Sequence, residues 1–121
     1  MILNKMSSDY CWANRALDCY KNVALPQILL YLGPEQSKPS QEKISLKDLE
    51  SKLANIAEGI AIELRSLSQS DPEAEVTKVL NELYLGFSDL KFWVKYSDWH
   101  SIKSSIDPLA VKISDFYLID S

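Results

Sequence analysis

Few side chains in this sequence have the chemistry of a catalytic or metal-binding group. His100 is the single histidine, and the two thiols are Cys11 and Cys19. A zinc site needs several cysteine or histidine ligands at close spacing, and a thiol–imidazole nucleophile needs a third, orienting group. Neither pattern is present, and Glu58 and Glu63, five residues apart, point to different faces of a helix. The sequence therefore predicts no enzyme, no metal and no cofactor.

The two cysteines also indicate a cellular compartment. Eight residues of helix rise about 12 Å, whereas a disulfide requires Cα atoms within about 7 Å. Cys11 and Cys19 cannot form a bridge within one helix, and reduced thiols are typical of a cytoplasmic protein. Residues 1–6 do not resemble a signal peptide, and the most apolar run, residues 23–32, is about half the length that a bilayer crossing needs. We therefore expect a cytoplasmic protein with no membrane partner.

The most unusual segment is residues 91–103, where aromatic and basic side chains are interleaved. It contains four aromatic residues, three lysines and the histidine. Its apolar residues cannot all face one core, so some aromatic surface should be exposed or covered by a partner. Three interpretations are open. The aromatic residues fill a small core beneath solvated lysines, they anchor a protein contact, or they stack on nucleic-acid bases while the lysines bind phosphates.

A second aromatic and basic group lies in residues 5–21, in the first predicted helix. If this helix packs beside residues 91–103, the two groups form one face opposite the acidic central helices. On this hypothesis the nucleic-acid-binding residues are Lys5, Arg15, Lys21, Lys91, Lys95 and Lys103. The aromatic and histidine residues predicted to lie in a protein interface are Trp12, Trp93, Trp99 and His100.

Apolar residues recur at spacings of three and four along most of the chain, which is typical of α-helices. The first helix is expected to begin after a cap at Ser7 or Ser8 and to end near residue 24, and Pro26 begins a short helix over 26–32. A polar loop is expected over residues 35–43. Gly33 and Pro34 end the short helix.

The clearest helix start is Ser45, followed three residues later by Asp48 in the pattern of a capping box. It predicts a helix over residues 46–69. Asp71 followed by Pro72 predicts the cap and first position of the next helix, which reaches residue 96. A shorter helix and a last one, separated at Asp107 and Pro108, complete the chain. We predict an all-α fold, an irregular helical bundle of about five helices that forms one domain over residues 1–121.

The charge of the chain limits its partners. The 121 residues include 17 acids and 13 bases, which gives a net charge of −4 and a pI near 4.9. A generally basic nucleic-acid-binding protein is therefore disfavoured. Residues 42–85 hold nine acids and five bases, so the two central helices should present an acidic face. One hypothesis is accordingly a small acidic regulatory protein, an antitoxin-like inhibitor that covers a basic partner.

The leading hypothesis is a different one, and it comes from a resemblance. A helical chain of this length, with an aromatic and basic first helix (Tyr10-Cys11-Trp12-Ala13-Asn14-Arg15-Ala16-Leu17), resembles the small subunit of a CRISPR effector complex. The resemblance implies a non-enzymatic protein that stacks in several copies beside other protein subunits. It also implies contact with bound or displaced nucleic acid, either single-stranded or paired with the guide. We therefore expect a non-catalytic subunit of a larger assembly.

Overall fold

The computed structural model describes residues 10–33 and 43–120, which form four helices with no strand among them. Helix α1 (residues 11–32) is continuous and has three parts, namely α-helical Cys11–Cys19, a π-helical turn at Tyr20–Ala24 and α-helical Leu25–Leu32. It is followed by α2 (Leu46–Ser70), α3 (Glu75–Lys95) and α4 (Trp99–Asp120). The all-α prediction is confirmed, whereas the predicted number of about five helices is replaced by four. Ser7, Ser8 and most of the loop predicted over residues 35–43 lie outside the described residues.

The four helices form an up-down-up-down bundle in which each helix is antiparallel to its neighbours. The start of α1 lies beside the second half of α2, since Ala13 bonds to Glu63, and the end of α1 lies beside Ile44, just before α2. Short connections at residues 71–74 and 96–98 turn the chain from α2 to α3 and from α3 to α4. Helix α4 returns along α1, as the ring contacts between these two helices show.

One apolar core runs through the bundle, and every helix contributes to it. The predicted apolar stripes of α2 and α3 face this core. The largest side chains that are almost completely buried are Leu17, Ile28, Leu49, Leu53, Ile56, Ile60, Leu80, Leu83, Phe87, Leu90, Ile102 and Phe116. Burial of a side chain of this size stabilises a fold by about 1.5–3 kcal/mol.

The structure confirms the predicted cap of one helix and corrects the predicted start of another. The Ser45 hydroxyl accepts a hydrogen bond of 3.1 Å from the backbone N–H of Asp48, which confirms the predicted cap of α2. The predicted start of α3 is wrong, because Asp71 ends α2, donating its N–H to the carbonyl of Leu67 at 2.6 Å. The carbonyl of Asp71 then accepts hydrogen bonds from the N–H of Ala74 and the hydroxyl of Thr77, within the turn that follows α2. Helix α3 therefore starts only at Glu75, after a turn.

Two prolines that were expected to separate helices lie inside them instead. In α1 the π-helical turn directly precedes Pro26, and the N–H of Leu25 bonds to the carbonyl of Tyr20, five residues back. This wider turn moves the backbone away from the proline ring, which would clash with a carbonyl in a regular helix. Pro108 is exposed on α4, so the carbonyl that loses its hydrogen bond there can bind water. These two continuous helices account for the difference in helix number.

Two glycines lie where neighbouring helices approach each other closely. A Cβ atom on Gly59 would lie 3.2 Å from the Cβ of Ala16, between α1 and α2. A Cβ atom on Gly86 would lie 2.9 Å from Cδ1 of Leu109, between α3 and α4. The absence of a side chain at Gly86 thus lets α4 approach α3 at this point.

Candidate interaction surfaces

The residues that the sequence singled out for binding lie at two different ends of the bundle. At one end the ring of Tyr10 contacts Phe116, with centroids 5.9 Å apart, and at the other end Tyr31 stacks on Trp99. Trp12 is nineteen residues before Tyr31 in α1, which corresponds to about 28 Å along a helix. Trp12 and Arg15 are thus far from the segment around Trp99. The single aromatic and basic face that was considered does not form, and two separate surfaces exist instead.

The surface near the start of α1 is built from Trp12 and Arg15. The Trp12 side chain is 47% exposed, and the Arg15 guanidinium lies over its ring at 5.8 Å from the centroid. Both residues line a shallow cleft of about 260 Å³ between α1 and α2, with Gly59 at its base. It offers one exposed aromatic ring and one cation to a partner.

Beside this surface, the carboxylate of Glu63 is buried between two helices. Its Oε1 accepts a hydrogen bond of 3.1 Å from the backbone N–H of Ala13, in the first turn of α1. Helix α1 has no side-chain cap of its own at Tyr10, so an acid of α2 takes that role and interacts with the positive end of the helix dipole. Glu63 therefore does not contribute to the acidic outer face predicted for the central helices. The five-residue spacing predicts that Glu63 and the exposed Glu58 point to different faces of the helix. It does not predict that Glu63 bonds to Ala13.

The second surface is the α3–α4 corner, which we define as residues 92–100. Phe92 and Tyr96, one helical turn apart, are 56% and 62% exposed, and their ring centroids are 4.8 Å apart. The ammonium of Lys95 lies 5.7 Å from the centroid of the Tyr96 ring. Two large rings and a cation are thus exposed together on one side of α3. Exposed apolar side chains that form a contiguous patch are typical of interaction sites.

The tryptophans of this region lie mainly against the core. Trp93 and Trp99 are both half-buried and pack on core residues. Trp99 stacks on Tyr31, with a centroid distance of 5.1 Å and nearly parallel planes, and the ammonium of Lys43 lies 4.8 Å from the centroid of the Tyr31 ring. Of the four predicted interface residues, only Trp12 and His100 are exposed.

The most exposed rings, Phe92 and Tyr96, were not among the predicted interface residues. The sequence does contain a signal for them. Residues 87, 90 and 94 follow the apolar stripe of the helix, and positions 92 and 96 fall on the opposite side.

Backbone geometry fixes the shape of the corner. Ser97 adopts a left-handed conformation with φ of 55°, and its N–H and that of Asp98 bond to the carbonyls of Val94 and Trp93. This pattern is the Schellman motif that ends many helices. Asp98 then begins α4, since its carboxylate accepts hydrogen bonds from the hydroxyl and the backbone N–H of Ser101, at 2.8 and 3.2 Å. These two bonds, and the nearby charge of His100, hold the pKa of Asp98 below its usual value.

The predicted nucleic-acid-binding lysines are distributed over several surfaces. Lys91 is half-buried on α3, whereas Lys95 is exposed at the corner. Lys103 lines a cleft between α1 and α4, and Lys21 lies over the ring of Tyr117 at 5.7 Å from its centroid. Lys5 lies outside the described residues. The described lysines therefore do not form one continuous basic strip.

In residues 10–33 and 43–120, no three histidine, cysteine or acidic side chains come together in a group that could hold a metal ion. Cys11 is exposed, Cys19 is half-buried, and both are free thiols. None of the helices in the described ranges combines the length and the apolar character that a membrane-spanning helix needs.

Comparisons with known proteins gave no relative for this chain. No protein-family model matches it, and no curated protein and no solved structure is significantly similar to it.

Proposed function

We propose that this chain is a non-enzymatic, cytoplasmic subunit of a larger assembly, and that the α3–α4 corner is the surface by which it binds another protein. One observation supports this most directly, namely the pair of exposed rings at Phe92 and Tyr96 with Lys95 beside them. Aromatic residues dominate the energetics of protein interfaces, because they bury a large area and lose few rotatable bonds.

The rigidity of the corner also supports a protein contact. Phe92 projects from α3, Tyr96 is the capping residue at the end of that helix, and the next helix is fixed by the Asp98 cap. Rings held in this way lose little conformational freedom when a partner covers them, so that more of the contact energy is available for binding. A protein partner is favoured over a nucleic acid here, because Lys91 is half-buried and Asp98 adds a negative charge among the basic residues.

The finer proposal is that the assembly is a CRISPR effector complex and that this chain is its small subunit. It depends on the resemblance in length, helical layout and first helix alone. If it holds, the purified assembly should contain a guide RNA and more than one copy of this chain.

The test is purification of the tagged chain from its native cells, with and without nuclease. We expect a stable protein partner to be recovered with the wild-type chain. The variant Phe92→Ser with Tyr96→Ser should bind that partner at least tenfold more weakly, since two central aromatic anchors are lost. The matched control replaces two exposed apolar residues elsewhere, Leu85→Ser with Val111→Ser, and should bind as the wild type does.

Each other outcome has a definite meaning. Retention of the partner by the Phe92 and Tyr96 variant would show that the corner is not the interface. Recovery of the chain alone would contradict the assembly itself. Loss of the partner on nuclease treatment would favour a nucleic-acid contact, and loss on raising the salt concentration alone would favour the acidic inhibitor.

A further inference from the structure

An apolar groove of about 280 Å³ lies between α3 and α4, and we call it the α3–α4 groove. Gly86, Trp93, Pro108 and Leu109 give it most of its apolar lining. Leu85, which also lines it, is 53% exposed although it is a large apolar side chain. A groove between two antiparallel helices has a shape that the apolar face of a third helix can fill.

The charged residues of the α3–α4 groove are mainly acidic. Glu82 and Asp89, both exposed, line it from α3, and Lys112 lines it from α4. The ammonium of Lys112 lies 2.6 Å from the carboxylate of Glu82, so these two charges compensate each other. In the described part of the chain, Asp89 forms no ion pair with a base. The groove thus carries one uncompensated negative charge, which favours a partner with positive charge and opposes one with negative charge.

The positions of the two acids also match a helical partner. Glu82 and Asp89 are seven residues apart in α3, which corresponds to about two helical turns, and Leu85 lies between them on the same side of the helix. A second helix that lies along α3 can present two basic residues at this spacing, with apolar residues between them that cover Leu85. Pairs of helices in coiled coils use the same arrangement, an apolar seam flanked by opposite charges.

We infer that the α3–α4 groove is the docking site of a basic amphipathic α-helix from a partner protein. The apolar face of that helix covers Leu85 and fills the groove, and its lysine or arginine residues pair with Asp89 and Glu82. This inference does not depend on the proposed function, because the exposed rings of Phe92 and Tyr96 are not part of the lining of the groove.

Two synthetic helical peptides that differ only in charge test this inference. Each is about 20 residues long, a length at which an isolated helix forms, and has a stripe of leucines. Beside the stripe, one peptide carries two lysines seven residues apart, and the other carries glutamates at the same positions. Each is titrated against the full chain and followed by calorimetry and amide NMR shifts. We expect saturable binding of the lysine peptide, with shifts concentrated in the α3–α4 groove, and at least tenfold weaker binding of the glutamate peptide.

Variants of the full chain separate this site from a general attraction to the acidic protein. Asp89→Lys should reverse the preference, so that the glutamate peptide binds more tightly than the lysine peptide. Asp18→Lys makes the same change of charge at an exposed position of α1 and serves as the matched control, which should bind as the wild type does. Leu85→Ser should weaken binding of the lysine peptide, because its contact with the apolar stripe is lost.

Three results would overturn the proposed docking site. They are the absence of saturable binding, equal affinity of the wild type for the two peptides, and equal effects of Asp89→Lys and Asp18→Lys. NMR shifts concentrated at Phe92 and Tyr96 would place the peptide on the α3–α4 corner and would likewise contradict the groove as its site.

Discussion

The carboxylate of Glu63, in the middle of α2, accepts a hydrogen bond from the backbone N–H of Ala13 at the start of α1. Although the two residues are fifty positions apart in the chain, the side chain of Glu63 caps the helix that contains Ala13. Because the side chain of Tyr10, at the start of α1, makes no cap hydrogen bond, the first turn of α1 depends on the packing of α2.

Replacement of Glu63 should therefore destabilise the protein more than replacement of another glutamate of the same helix. Glu63→Ala leaves the N–H of Ala13 buried without a partner, and it should lower the free energy of unfolding by about 1–3 kcal/mol. Glu63→Gln keeps an acceptor and should have a smaller effect. Urea unfolding measures both, with the exposed Glu58→Ala as the control. Equal losses at positions 58 and 63 would show that the cap is unimportant.

Ser97 offers an opportunity to stabilise the bundle. Its φ of 55° lies in the left-handed region, which glycine occupies without a steric penalty. Ser97→Gly should raise the free energy of unfolding by about 0.5–1 kcal/mol, because relief of the strain outweighs the extra freedom of the unfolded chain. The same substitution at the exposed helical residue Ser51 should destabilise, since Gly is a poor helix former. A lower midpoint of thermal unfolding for Ser97→Gly than for the wild type would contradict the expected relief of strain.

Asp98 should make the stability of the protein depend on pH in the acid range. Hydrogen bonds from Ser101 lower the pKa of Asp98 in the folded state, so its contribution is present above the unfolded value of 3.8. That contribution is lost as the pH falls from that value toward the folded pKa.

The measurement is the unfolding temperature of wild type and Asp98→Ala from pH 7 to pH 2. The wild type should unfold at the higher temperature near neutral pH, and the two curves should converge in acid. A difference that stays constant over the whole range would mean that the charge of Asp98 has no role in the cap.

Ionisation of Tyr20 should also make the stability of the protein depend on pH, but in the alkaline range. Within residues 10–33 and 43–120 its buried hydroxyl has no hydrogen-bond partner, so Tyr20→Phe should be more stable than the wild type by about 1 kcal/mol at neutral pH. The folded pKa is raised from 10.0 to about 12. Stability of the wild type is therefore retained below pH 10 and is lost as the pH rises toward 12. The gap between the two proteins should widen in this range, which urea unfolding of both at pH 7 to 12 would measure.

The sequence was sufficient to predict the helices whose signals are local. The Ser45 cap lies three residues before its partner Asp48, and both belong to one turn. The start of α3 was not predictable in the same way. Asp71 suits either the end of one helix or the beginning of the next, and in the structure it ends α2. Pro26 and Pro108 were predicted as breaks because sequence rules assume regular helices, whereas a π-helical turn and an exposed position accommodate them.

The candidate surfaces could also be predicted from sequence only in part. The segment that holds exposed aromatic rings could be located from sequence, since its rings cannot all face one core. Which rings are exposed depends on the neighbouring helix, because Trp99 is covered by Tyr31, a residue 68 positions away. The free hydroxyl of Tyr20 is a property of the assembled bundle and has no counterpart in local sequence.

The contact between Tyr10 and Phe116 has a consequence for how the chain can be rearranged. It brings the beginning of α1 and the end of α4 together at one pole of the bundle, so a short linker can join them in a circular permutant. New termini in the connection at residues 71–74 would lie at that same pole, opposite to Tyr96. A reporter domain attached there would leave the aromatic rings of residues 92 and 96 accessible.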